Sequence, residues 1–202
     1  MRNVTLFENE HHRFVLLNES EPGEEHGVPS NQYLLVHEDA GVLFDPGGFG
    51  VMPQVLAELM HYLPPDRLKA IFLSHQDPDI VGSLASWLEL TRARVYVASI
   101  WLRFLPHYGI RDMSHFVGVP DEGMNCTLAP GLDLCIVPAH FLHSPGHINA
   151  YDPVSKILFS GDIGAAVMAA GSPSAFVDEL APHLPSIEPF HRRYMACNRA
   201  LR

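Results

Sequence analysis

Cysteine is scarce in this chain. Cys126, Cys135 and Cys197 are odd in number, widely spaced and never arranged as CxxC, so nothing supports a disulfide framework. Reduced thiols in a cytoplasmic protein are the simplest expectation. Long apolar runs are missing too: no stretch reaches the roughly 20 residues that a membrane span needs. The opening segment, MRNVTLFENEHHR, lacks the apolar core of an export signal. Positive charge is in short supply, with 13 Lys and Arg against 23 Asp and Glu and a formal net charge of -10. That balance argues against non-specific binding to nucleic acid or to an anionic membrane. The chain shows no internal repeat, low-complexity block or linker. Gly47-Gly48 lacks the strand-GxGxxG-helix setting of a dinucleotide site. No Ser-His-Asp grouping stands out, since Ser144 and His143, adjacent in sequence, need not face each other.

What remains is an ordinary globular composition, 47% hydrophobic and 18% charged over 202 residues, with 13 histidines. It predicts one compact domain over residues 1–202. Short apolar runs bounded by turn residues predict strands at 13–17, 32–36, 41–45, 69–73, 94–97, 134–137 and 156–159. Helical periodicity runs from Val51 to Tyr62, stopped by Pro64-Pro65, and helices are expected at 81–90 and 101–108. From Ile187 onward a stripe of Phe190, Tyr194, Cys197 and Leu201 predicts a last helix. It meets no stop signal before Arg202, so a missing C-terminal segment is expected. The order of elements predicts a layered α/β fold.

The segment LSHQDPDIVGS follows the buried run Lys69-Ala70-Ile71-Phe72-Leu73. In an extended segment His75, Asp77 and Asp79 share one side and Gln76 and Pro78 the other. An imidazole and two carboxylates converging on one point call for a cation among them; alone, the motif reads equally well as an Asp-Pro turn. Two further polar residues follow apolar strands, where α/β folds gather ligands. These are His143, in HSPGH after 134–137, and Asp162, in FSGD after 156–159.

Together these motifs resemble the metallo-β-lactamase superfamily. SHQDPDIVGSL, LHSPG, ILFSGD, the opening SNQYLLV…GVLFD and HRRYMACNRAL are most similar to the flavodiiron branch, above all to its flavin-free, oxygen-binding di-iron members. The resemblance implies an αββα sandwich. It implies that His75, Asp77 and His143 hold a first iron, that Asp79 belongs to a second, and that Asp162 bridges the two. His147 competes with His143 for its role, and the flavodiiron pattern, with the histidine before the proline, selects His143. His147 is then a neighbour of the site or an exposed residue. Tyr194 resembles a tyrosine near the bound oxygen species, and His26 is a further candidate from the N-terminal loop. Two departures weaken the second metal. Ile80 stands where the family has a histidine, and the family's last histidine segment is not met before Arg202. One firmly bound metal is therefore expected.

By the resemblance the cofactor is non-haem iron, one or two per chain, with manganese or zinc as alternatives and no flavin in this chain. The expected function is dioxygen binding in a sensor or receptor module. The alternatives are an O2 or NO reductase fed by a separate redox partner, and a metal-dependent hydrolase. A signalling or electron-transfer protein is the expected partner, and a homodimer is compatible with this reading.

Overall fold

A computed structural model describes residues 3–17, 30–166, 176–197 and 199–200. Among the described residues, eleven strands form two sheets. The larger contains β1 (Val4–Glu8), β2 (His12–Leu17), β3 (Gln32–His37), β4 (Ala40–Phe44), β5 (Leu68–Phe72), β6 (Arg94–Ala98) and β7 (Phe116–Val119), paired in chain order. Its first four strands are antiparallel, and β4 to β7 are parallel. The smaller, antiparallel sheet contains β8 (Met124–Ala129), β9 (Leu132–Pro138), β10 (Ile148–Asp152) and β11 (Ile157–Phe159).

The sheets pack face to face. Phe14, Leu35, Val42, Phe44 and Phe72 of one meet Leu134, Ile136, Ile148, Ala150 and Phe159 of the other. Phe159 sits in the aromatic centre of this layer, 5.0 Å from Phe44 and 5.9 Å from Phe72 between ring centroids. The alternate residues Val15, Leu34, Leu43 and Ile71 point to the opposite face of the larger sheet. There they bury Val55 and Leu59 of α1 (Met52–Leu59) and Leu84 and Trp87 of α3 (Leu84–Leu90). Strands covered on both faces need apolar residues at successive positions, which is why they read as unbroken greasy runs. The outer face of the smaller sheet keeps Val137 and Leu158 exposed.

Between β5 and α3 the chain makes one helical turn, α2 (Pro78–Val81), and a 3-10 helix over Ser99–Tyr108 follows β6. The last described helix, α4, runs Leu180–Tyr194. It begins earlier than its periodicity suggests and ends before Cys197. Met195 turns extended, and the Ala196 N–H donates to the Phe141 carbonyl, drawing the chain off the helix axis. Leu201 and Arg202 lie outside the described residues. Among the described residues, no helix is long and apolar enough to cross a membrane.

The topology fixes where polar residues gather. The C-terminal ends of β4 and β5 lie at one end of the sandwich, and the Ile148 N–H donates to the Ser74 carbonyl at 3.0 Å. That bond brings the start of β10, and with it the ends of the flanking strands β9 and β11, to the same place. The opposite end is closed by polar side chains: His12 Nε2 lies 2.8 Å from Asp152 Oδ2, and His12 Nδ1 lies 3.1 Å from His37 Nδ1.

Candidate metal centre

His75 follows β5 and is fully buried. Its Nδ1–H donates to Ser74 Oγ at 2.8 Å. The Ser74 hydroxyl in turn donates to Asp45 Oδ2 at 2.6 Å, and the Ser74 N–H to Asp45 Oδ1 at 2.8 Å. This relay fixes the tautomer, leaving a lone pair on His75 Nε2, which has no hydrogen-bond partner although it is buried. Asp45 went unmarked in the sequence, where LFDPG reads as a turn. Its φ of 48 marks a left-handed backbone, uncommon for a residue with a side chain. Burial pushes its carboxyl up to about 6, against the pull of His75 and the Ser74 hydrogen bonds.

Three further donor atoms lie on the lone pair's side. Asp77 Oδ2 lies 3.5 Å from both His75 Nε2 and His143 Nε2. Asp162 Oδ2 lies 3.7 Å from His75 Nε2 and 3.5 Å from His143 Nε2. These spacings are too long for good hydrogen bonds. They suit atoms sharing an ion, since two donors each roughly 2.1 Å from one metal sit about 3–3.5 Å apart. Ligand atoms of His75, His143 and Asp162 all fall within 4.8 Å of one another. The electrostatics agree. Contacts from His143 and His75 hold the Asp77 carboxyl far below the usual carboxylate range. Burial opposes charge on His75, but Asp77, Asp45 and Asp162 outweigh it and raise its affinity for a proton. His75, His143 and Asp162 therefore fit one divalent ion of intermediate hardness, with Asp77 within 3.5 Å of both imidazoles.

Asp79 stands differently. The extended alternation ends at Asp77, because Pro78 starts α2 and turns Asp79 into its first turn. No ligand contact joins it to the four donors; burial and the charges of Asp162 and Asp77 raise its carboxyl. Ile80 is buried in the helical-side core. A second ion would find only Asp79 and Asp162 among these residues.

The remaining candidates separate cleanly. His147 is fully buried, not exposed, and its ring stacks on His75 at 5.2 Å. Its Nε2–H donates to the Ser160 carbonyl at 3.0 Å, and burial pushes its pKa down to about 3. It is a neutral prop beneath the loop that presents Asp162. In that loop Gly161 has φ +52, and a Cβ there would meet Ser74 Oγ at 2.7 Å and His147 Cε1 at 2.9 Å. Only glycine lets the loop come so close. Tyr194 and Phe190 of α4 stack on the His143 ring at 4.9 and 5.5 Å, with Tyr194 half-exposed. His26 lies outside the described residues.

Two packed sheets with helices over the larger, and an imidazole–carboxylate cluster at the strand ends, define a metallo-β-lactamase-like protein of the flavodiiron branch. The profile described as ODP family beta lactamase matches residues 28–202, and the chain belongs to that family. A solved structure of the peroxy diiron species of chemotaxis sensor ODP is 41% identical, with a TM-score of 0.86 over 99% of this chain and 78% of that one. The apo state of chemotaxis sensor ODP from T. denticola is 42% identical, with a TM-score of 0.86 over 98% of this chain and 78% of that one. Rubredoxin oxygen:oxidoreductase from Desulfovibrio gigas shares the fold at 16% identity, with a TM-score of 0.75 over 95% of this chain and 49% of that one. Among curated sequences, diflavin flavoprotein A 1 of Synechocystis sp. is 31% identical over 148 residues, 70% of this chain. The chain spans about a quarter of that relative, 24% of its length.

Proposed function

We propose that this chain holds non-haem iron and binds dioxygen as a sensor module, with His75, Asp77, His143 and Asp162 as the ligands of one tightly held ion. The observation that carries the reading is the lone pair of His75 Nε2, buried, without a hydrogen-bond partner and facing two carboxylates. The two 41–42% identical structures, of a peroxy diiron species and of an apo state of chemotaxis sensor ODP, support this reading. Ferrous iron held there would supply dioxygen with electrons and a binding position.

The protein's own residues prepare that position. The Asp45–Ser74 relay aims Nε2 of His75 inward and keeps its other nitrogen protonated. Asp77 and Asp162 supply negative charge that offsets a divalent ion. Phe190 and Tyr194 cover the flat face of His143 and restrict water there. An acid at position 77 also sets the shell apart from the histidine-rich sets suited to zinc hydrolysis, which disfavours the hydrolase alternative.

Anaerobic reconstitution with ferrous iron, followed by elemental analysis and an absorption spectrum before and after admission of air, tests the reading. About one tightly held iron per chain and a new visible band in air are expected. A colourless, air-indifferent protein would refute dioxygen binding. Sustained oxygen consumption with an artificial reductant would move the assignment to a reductase.

Asp45 provides a separate check. Asp45→Ala removes the acceptor that orients Ser74 and His75, and loss of such a supporting group weakens metal affinity by about 10–100-fold. Competition against a chromophoric chelator measures it; affinity within about twofold of the parent would show that the relay does not orient the ligand.

A further inference from the structure

Gln76 lies between two of the proposed ligands, and simple alternation would aim its side chain away from them. The structure turns it back. Its Nε2–H donates to Asp77 Oδ1 at 2.8 Å, and its Oε1 accepts from the Ser144 hydroxyl at 3.2 Å. Its backbone carbonyl accepts from the Tyr108 hydroxyl at 2.8 Å. The amide's orientation follows from chemistry: a carboxylate can only accept, so the NH2 must face Asp77. The oxygen then faces Ser144, which is buried and adjoins His143.

The consequence concerns Asp77. Its Oδ2 faces His75 and His143, while its Oδ1 is held by the Gln76 amide. One oxygen is thus aimed at the cluster and the other is tied away from it. The same amide joins the loop after β5, which carries His75 and Asp77, to the loop after β9, which carries His143.

We infer that Gln76 is a positioning residue that makes Asp77 a one-oxygen ligand and sets the spacing of the two ligand loops, with Ser144 as its anchor. The inference rests on the metal-binding reading above. Asparagine is too short to span from Asp77 to Ser144. Leucine matches the shape but offers no hydrogen bond. Glutamate puts a second carboxylate against Asp77.

The test compares Gln76→Leu, Gln76→Glu and Ser144→Ala with the parent, each loaded with Co2+ under nitrogen and titrated against a chromophoric chelator. Gln76→Leu should bind about 10–100-fold more weakly, the range seen when a group that orients a metal ligand is removed. Ser144→Ala, which leaves the Gln76–Asp77 bond in place, should lose less. The cobalt visible bands of Gln76→Leu should also shift, because a freed Asp77 can offer both oxygens. A merely structural defect would lower the melting temperature of the metal-free protein without moving those bands. Parent-like affinity and bands in Gln76→Leu would overturn the inference while leaving the metal reading intact. A parent chain that takes up no cobalt or iron would overturn both. Should Gln76→Leu fail to fold, Ser144→Ala decides alone: parent-like affinity and bands would remove the proposed anchor and with it the inference.

Discussion

His75→Ala is expected to leave the chain unable to retain metal through dialysis. In the proposed site the imidazole is one of four ligands, and its Nε2 lies at 3.5 and 3.7 Å from carboxylate oxygens of Asp77 and Asp162. Spreading the roughly 10–16 kcal/mol of a tight protein metal site over four ligands puts each at about 2.5–4 kcal/mol, a loss of roughly sixty- to seven-hundredfold. Elemental analysis of the reconstituted variant should fall from about one iron per chain to almost none, and the band in air should vanish. Circular dichroism of the metal-free form checks that the fold persists. Stoichiometric iron in a folded His75→Ala protein would remove His75 from the ligand set.

The largest stability effect is expected far from that centre. Asp152→Asn should lower the melting temperature by about 3–12 °C, taking about 1.5–3 kcal/mol for hydrogen bonds lost to a charged group and about 2–4 °C per kcal/mol for a chain of this size. Asp152 and His12 are 1% and 2% exposed. The carboxylate accepts from His12 Nε2–H, the Val154 and Ser155 N–H groups and the Ser155 hydroxyl. With its Nε2 donating, His12 accepts at Nδ1 from His37. An amide NH2 in place of one carboxylate oxygen faces donors it cannot satisfy. A fall of less than about 2 °C would show that these contacts are weak.

Acid offers an independent check of the same pair. Burial alone would raise the Asp152 carboxyl, but hydrogen bonds from His12 and Ser155 outweigh it and hold it below the ordinary 3.8. The folded form is then the stronger acid. Its carboxylate contributes stability fully above that ordinary value, and the contribution is lost as pH falls through the lower folded value. Between about pH 5 and about pH 3 the parent should therefore lose more stability than Asp152→Asn.

The strands that position the centre were legible because they are buried on both faces: FVLL, YLLV, VLF and AIFL leave little room for another reading. The strands that escaped notice are partly exposed or polar. β1 and β7 sit at the edges of the larger sheet, and β8 at an edge of the smaller. β10 carries the buried Asn149 and Asp152 that break its pattern. In α4, Pro185 and Pro189 hid the helix's first turns, although it accommodates both. The proximity of His75 and His143 to Asp77 and to Asp162 could be read because each of these residues follows, at a short distance, an apolar run. Asp45 and Gln76 could not, because their partners, Ser74 and Ser144, announce nothing in a linear pattern. Alternation groups Asp79 with Asp77, but the proline at 78 interrupts it.

The division of the cluster between the sheets has a mechanical corollary. His75 and Asp77 hang from the larger sheet, His143 and Asp162 from the smaller, so the proposed ion would rivet one to the other. Linkage makes the effect mutual. Whatever wedges the layers apart at this end must slacken the rivet, and whatever changes the rivet's size or charge must strain the seam between the layers.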